Sequence, residues 1–149
     1  MRFSRSAGYT LIELAVAITI IGAIASISMI KFGQSLAGWR MRSAASVLAT
    51  DVQRVPAVAA RDGVPVQLVL HDGALGYDLQ TRNADTVYAT RNMGSTGDYR
   101  LDTFTATANT LEFLPNGIPT ASVTYTLTLG EREREVRVSA AGQIRVSTP

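Results

Sequence analysis

Residues 11–30 carry only apolar or small side chains apart from Glu13 and Thr19. At about 1.5 Å per residue, a helix of that length reaches roughly 30 Å, the thickness of the hydrocarbon core of a bilayer. The run restricts the chain to a fold in which an N-terminal helix spans a membrane and the rest is attached behind it. Arg2 and Arg5 precede the run and Lys31 alone closely follows it. The positive-inside preference therefore puts the N-terminus in the cytoplasm and the remainder outside. A carboxylate inside such a run costs roughly 2.5–3.5 kcal/mol on insertion-based scales, so Glu13 needs a partner or a task. Gly22, mid-run, weakens the helix by up to about 1 kcal/mol relative to Ala and reads as a close-packing point or a hinge.

From Phe32 the pattern turns amphipathic with no Pro or loop signal, so the same helix continues. Met41, Ala45, Leu48, Val52, Val55 and Ala59 follow 4-3-4-3-4 spacing, one stripe of a helix, with Ser43, Ser46, Thr50, Gln53 and Arg54 on the other side. Pro56 predicts a kink within the stripe. Asp62-Gly63 supplies the stop, and Pro65 prevents resumption. Beyond Gly63 the period becomes two. Strands are expected at 66–70, 75–79, 86–90, 110–114, 123–129, 134–139 and 142–147, with a turn at Asp72-Gly73 and a polar, Gly-rich loop over 92–98. The fold class is α+β, a long N-terminal helix packed on an antiparallel β-sheet head.

The run Gly8-Tyr9-Thr10-Leu11-Ile12-Glu13-Leu14, behind a short basic leader, resembles the class III signal of type IV pilins and type II secretion pseudopilins. The resemblance implies that a prepilin peptidase cuts after Gly8 and that Tyr9 becomes the N-methylated first residue. It also implies that Glu13 neutralises the methylated amine of a neighbouring subunit during assembly. A carboxylate and an ammonium attract far more strongly in a low dielectric than in water, and neither is comfortable there alone. The segments Arg61-Asp62-Gly63-Val64-Pro65-Val66, Phe113-Leu114-Pro115-Asn116-Gly117 and Ala141-Gly142-Gln143-Ile144-Arg145 are similar to the FimT/GspH group of minor pilins and pseudopilins. On this basis residues 1–8 are a leader, 9–31 a transmembrane and filament-core helix, 32–62 an amphipathic stem and 63–149 a β-rich head.

The implied function is a minor pilin or pseudopilin subunit of a type IV filament, serving pilus assembly or DNA uptake. The alternatives are an H-type pseudopilin of type II secretion, and a single-pass anchored binding module that never polymerises. The implied partners are prepilin peptidase, other pilin or pseudopilin subunits and the inner-membrane assembly platform. The subunit would sit in the bacterial inner membrane before joining a pilus or pseudopilus.

Without Arg2 and Arg5, 12 basic residues face 12 acidic ones, with residues 31–61 basic and 62–149 mildly acidic. There are no cysteines, hence neither disulfides nor thiolate metal sites. Enzyme chemistry has little to stand on: His71 is the only histidine and has no second ligand at metal spacing, so no cofactor is expected. Trp39 lies on the polar side of the stem, as a headgroup-level anchor or a subunit contact. Some FimT-like pilins bind DNA through a C-terminal Gly-Arg-x-Arg element, whereas Gly142-Gln143-Ile144-Arg145 keeps only its last arginine. Arg145 and Arg137 are the candidate DNA contacts. Glu131, Glu133 and Glu135 interleave with the nearby arginines, and Glu135 shares a strand face with Arg137, so a solvated charged face is preferred over a DNA surface.

Overall fold

A computed structural model describes residues 9–71, 73 and 75–148. Its first element is α1 (Leu11–Asp62), 52 residues long. The chain divides into two compact units, one ending at Leu36 and one beginning at Ala37. In the first unit α1 is a bare helix. Leu11, Ile12, Leu14, Val16, Ile18, Ile20, Ile21 and Ile24 are all exposed, so no face of it is covered by its own unit.

The second unit combines the remainder of α1 with eight strands: β1 (Val66–Leu70), β2 (Gly76–Thr81), β3 (Val87–Asn92), β4 (Thr103–Ala106), β5 (Thr110–Phe113), β6 (Val123–Leu129), β7 (Arg132–Val138) and β8 (Ile144–Ser147). They form two antiparallel sheets, ordered β3-β2-β1-β5 and β4-β6-β7-β8. The helical stripe is what they cover. Met41, Ala45, Leu48, Val52, Val55 and Ala59 are each no more than 2% exposed, beside Leu68 and Leu79 of one sheet and Val123, Leu127 and Val136 of the other. Each fully buried Leu or Val stabilises the fold by about 1.5–3 kcal/mol, so Leu48→Ala, which adds a cavity to that loss, costs about 2–5 kcal/mol. Tyr77 of β2 meets Phe104 of β4 with ring centroids 5.9 Å apart, and Phe104 stacks on Tyr125 of β6 at 6.1 Å. This aromatic row joins the two sheets.

The helix continues through Pro56 and stops where expected, at Asp62, with Gly63 in the left-handed region (φ 67°) that releases the chain into β1. The strand at 66–70 is as expected, and its hairpin pairs Val66 with Thr81 and Leu70 with Tyr77. Gly73 of the turn has φ 72°, and Asp72 lies outside the described residues. Two expectations need correction. Residues 103–106 form a strand that the pattern did not suggest, because Phe104 is its one large apolar residue and its place is fixed by pairing with β6. Gly142 belongs to a turn rather than to β8, with φ 77° and its N–H donating to the Ser139 carbonyl. The loop after β3 is polar only on its surface. Met93 is buried and its N–H donates to the Leu75 carbonyl, while Asn92 Oδ1 accepts from the Gly94 N–H.

Candidate functional site

The start of α1 is built by Thr10 and Glu13. The Thr10 N–H donates to Glu13 Oε2 at 2.8 Å, and the Thr10 hydroxyl donates to the same oxygen at 2.8 Å. The Glu13 N–H in turn donates to Thr10 Oγ1 at 3.3 Å. This is a reciprocal capping box, which satisfies amides that a helix N-terminus otherwise leaves open. Its signal in the sequence is Thr10 three residues before Glu13 at the head of a helix. Because Thr10 is the cap, the helix begins at Leu11 and not at Tyr9, whose side chain is exposed. The box uses only Oε2. Glu13 Oε1 takes no part in the box, and the residue is exposed. Gly8 lies outside the described residues.

Two other polar side chains of the apolar run are closed on their own backbone. The Thr19 hydroxyl donates to the Ala15 carbonyl and the Ser26 hydroxyl to the Gly22 carbonyl, both at 2.8 Å. A buried hydroxyl without a partner costs on the order of 2–7 kcal/mol in an apolar medium, and these two avoid that cost. Among the described residues no helix is long and apolar enough to cross a membrane. The side chains of residues 27, 28, 30 and 31 are outside the description.

At the other end of the chain, Arg137 of β7 and Arg145 of β8 stand directly opposite each other. The structure thus brings the two DNA candidates together, but on a face they share with Glu133 and Glu135. Arg137 Nη2 lies 3.6 Å from Glu135 Oε2, so part of its charge is already answered. His71 approaches Asp78, with Nε2 3.0 Å from Oδ2, which ties the β1–β2 connection to β2. Among the described residues no three metal-ligating side chains gather.

The most elaborate polar cluster is one that the sequence did not bring to notice. Asp51 on α1 is 5% exposed and is the one buried charged residue among those described. Its Oδ2 accepts from the Tyr77 hydroxyl at 2.9 Å and from Arg91 Nε at 2.8 Å, and its Oδ1 accepts from Arg91 Nη2 at 3.2 Å. Burial and then the adjacent carboxylate push the Tyr77 phenol well above its ordinary range, and the hydrogen bond to Asp51 holds the Arg91 guanidinium more firmly charged. A second clasp closes the end of the helix, where the Tyr88 hydroxyl donates to Asp62 Oδ2 at 2.7 Å. Arg61 first, and Tyr88 second, hold the Asp62 carboxyl down to about 2.

A prokaryotic N-terminal methylation motif matches residues 3–29, and the family model of type II transport protein GspH matches residues 44–142. The chain belongs to the GspH family. The GspH region takes in α1 from Ala44 onward, Asp51 with both its partners and all strands but the last. Solved structures support the fold of this GspH-family chain. It is similar to the type IV minor pilin FimU of Pseudomonas aeruginosa (TM-score 0.56, 18% identity, 72% of this chain and 87% of that one). It is similar as well to the minor pseudopilin EpsH of Vibrio cholerae (TM-score 0.51, 12% identity, 74% of this chain and 98% of that one). No curated protein sequence matches significantly.

Proposed function

We propose that this GspH-family chain is a minor pilin or pseudopilin subunit of a type IV filament, anchored by residues 11–30 and assembled through α1. Prepilin peptidase removes residues 1–8 after Gly8, and Tyr9 becomes the methylated N-terminus. The chain is then held in the bacterial inner membrane, with its N-terminus cytoplasmic and its head outside, until the assembly platform passes it to other subunits. The observation that carries this reading is the first unit of α1, whose apolar side chains from Leu11 to Ile24 are exposed, with Thr19 and Ser26 closed on its own backbone. Such a helix is stable in lipid or among copies of its like, and in water it exposes an apolar surface of the kind that drives association.

Within this reading, Glu13 is the register residue. The capping box leaves Oε1 for the amine of a neighbouring subunit, so the carboxylate is structured before assembly and paired after it. The test is an intact mass of the mature chain, combined with mass spectrometry of sheared filaments. The expected result is a chain beginning at methylated Tyr9 and recovered in filaments, and recovery in membranes alone would favour the anchored module that never polymerises. Family membership favours type II secretion, and likeness to FimU favours a pilus. Loss of secretion or of pili on deletion separates them. Direct DNA binding is the weaker reading, because Glu133 and Glu135 share the Arg137–Arg145 face.

A further inference from the structure

Each sheet of the second unit ends on two edge strands, and the chain treats these edges differently. β5 is covered by the segment that follows it: the Leu114 N–H donates to the Ile118 carbonyl at 3.0 Å and the Thr120 N–H to the Glu112 carbonyl at 2.9 Å. At β3, Gly97 folds so close on the Asn92 carbonyl that a side chain there would collide with it. β8 has no such cover. The Ser139 N–H donates to the Gln143 carbonyl, so the pairs that exchange hydrogen bonds between β7 and β8 are Arg137–Arg145 and Glu135–Ser147. The N–H and carbonyl groups of Ile144 and Val146 therefore point away from the sheet, and they have no hydrogen bond among the described residues. The apolar layer runs out along the same line. Val136 and Val138 are fully buried, but Val146, opposite Val136, is 43% exposed. β4, the remaining edge, lacks such a margin, since Phe104 is buried and Thr103 and Thr105 carry no charge that could select a partner.

We propose that β8 takes up an extended strand of another protein, antiparallel, with an acidic residue opposite Arg145 and apolar residues opposite Ile144 and Val146. The outward N–H and carbonyl groups of both residues supply main-chain hydrogen bonds, which give affinity without regard to sequence. Side chains supply the selection. Arg145 shares its face of β8 with Ser147 and is the one charge of the strand. It forms no ion pair with a described residue, because the nearby Glu135 is turned to Arg137, whose Nη2 lies 3.6 Å from Glu135 Oε2. An acid on the incoming strand, directly opposite, answers that charge, and cross-strand pairs of opposite sign favour pairing. On the other face, apolar side chains beside Ile144 and Val146 extend the layer that ends there. A second copy of β8 is a poor occupant. The antiparallel register that engages both Ile144 and Val146 sets Arg145 against its own copy, in the close kind of pair where like charges repel. The same arginine thus guards the edge against self-pairing and selects an acidic strand.

The probe is a synthetic, end-blocked peptide in which valine alternates with threonine and one central threonine is replaced by glutamate, added to the full chain in detergent. Binding is followed by the anisotropy of a dye on the peptide and by residue-resolved amide exchange of the chain. Without peptide, the amides of Ile144 and Val146 should exchange at nearly unprotected rates, and saturating peptide should slow both by about tenfold or more. Exchanging the peptide's glutamate for lysine should weaken binding about threefold, and Arg145→Glu should invert that preference. Methylating the peptide nitrogens that face β8 should abolish binding. Because that change is made in the peptide, it keeps the test decisive if the variant chain does not fold. Unchanged exchange at Ile144 and Val146 with about 1 mM peptide, a concentration that reveals even weak binding, would overturn the proposal. Equal binding of the methylated peptide would overturn it too. Protection of these two amides that grows with the concentration of the chain alone would make a second copy the occupant and refute the acidic strand. A DNA oligonucleotide that binds through Arg145 more tightly than the peptide at moderate salt would likewise refute it.

Discussion

Arg91→Ala should destabilise the head by about 2–3 kcal/mol, and the geometry says why the value falls there. The substitution removes two of the three hydrogen bonds that Asp51 accepts and leaves its carboxylate 5% exposed with Tyr77 alone. Breaking a fully buried ion pair costs about 3–5 kcal/mol. Arg91, however, is 41% exposed, so water enters where its guanidinium stood and supplies part of what is lost. Tyr77→Phe removes one bond to a charged acceptor and should cost about 1.5–2 kcal/mol, since Arg91 remains. In the double variant Asp51→Ala, Arg91→Ala the summed cost should fall short of additivity by at least about 1 kcal/mol, because the two side chains answer each other. The assay is thermal unfolding of the full chain in detergent, followed by near-ultraviolet circular dichroism of the Tyr77–Phe104–Tyr125 row. For a head of this size about 2–3 kcal/mol corresponds to a fall in Tm on the order of 10 °C. A loss of less than about 0.5 kcal/mol for Arg91→Ala would place the pair among surface ion pairs and refute the claim that it fastens α1 to the sheet.

Tyr125→Phe should leave stability unchanged or raise it by about 1 kcal/mol, since its hydroxyl is buried and has no partner among the described residues; a fall above that size in the same melt would reveal a bond. Asp62, held down to about 2 from an ordinary 3.8, contributes stability that is complete above pH 4 and vanishes as pH drops through about 2. The unfolding midpoints of wild type and Asp62→Asn should therefore converge over that interval, and a constant gap would contradict the clasp. Glu13→Ala should still be cleaved, as seen by the mass of the mature chain, yet be depleted from sheared filaments; wild-type incorporation would remove Glu13 from the assembly step.

The parts of the fold legible in sequence were those in which one face decides burial. The stripe from Met41 to Ala59 and the alternation in β1 and β6 each declare an inside and an outside, and the structure keeps them. What stayed hidden depended on partners distant in the chain. β4 exists because β6 offers it an edge, and nothing local in Thr103–Ala106 announces it. Asp51 looked like one acid on a basic stem, because its meaning lies in Tyr77 and Arg91, 26 and 40 residues away. Thr10 stands at capping-box spacing from Glu13, but a cap satisfies backbone amides and leaves no trace in hydropathy. At the candidate sites, Glu13 stood out in the sequence as a polar residue within an apolar run.

The strand order has a consequence for biogenesis. The polypeptide lays β1–β3 in one sheet, crosses to the other for β4, returns for β5, and finishes in the second with β6–β8. Sheet one cannot close fully beside β1 until Phe113 has been synthesised, and β4 waits for Tyr125 to Thr128 before it has its partner strand. The apolar stripe of α1 emerges long before any of these. Loops that long make closure slow relative to hairpin formation. A nascent chain of this kind therefore passes through an interval in which its stem is uncovered, and that interval, rather than the finished head, is where a chaperone would find its work.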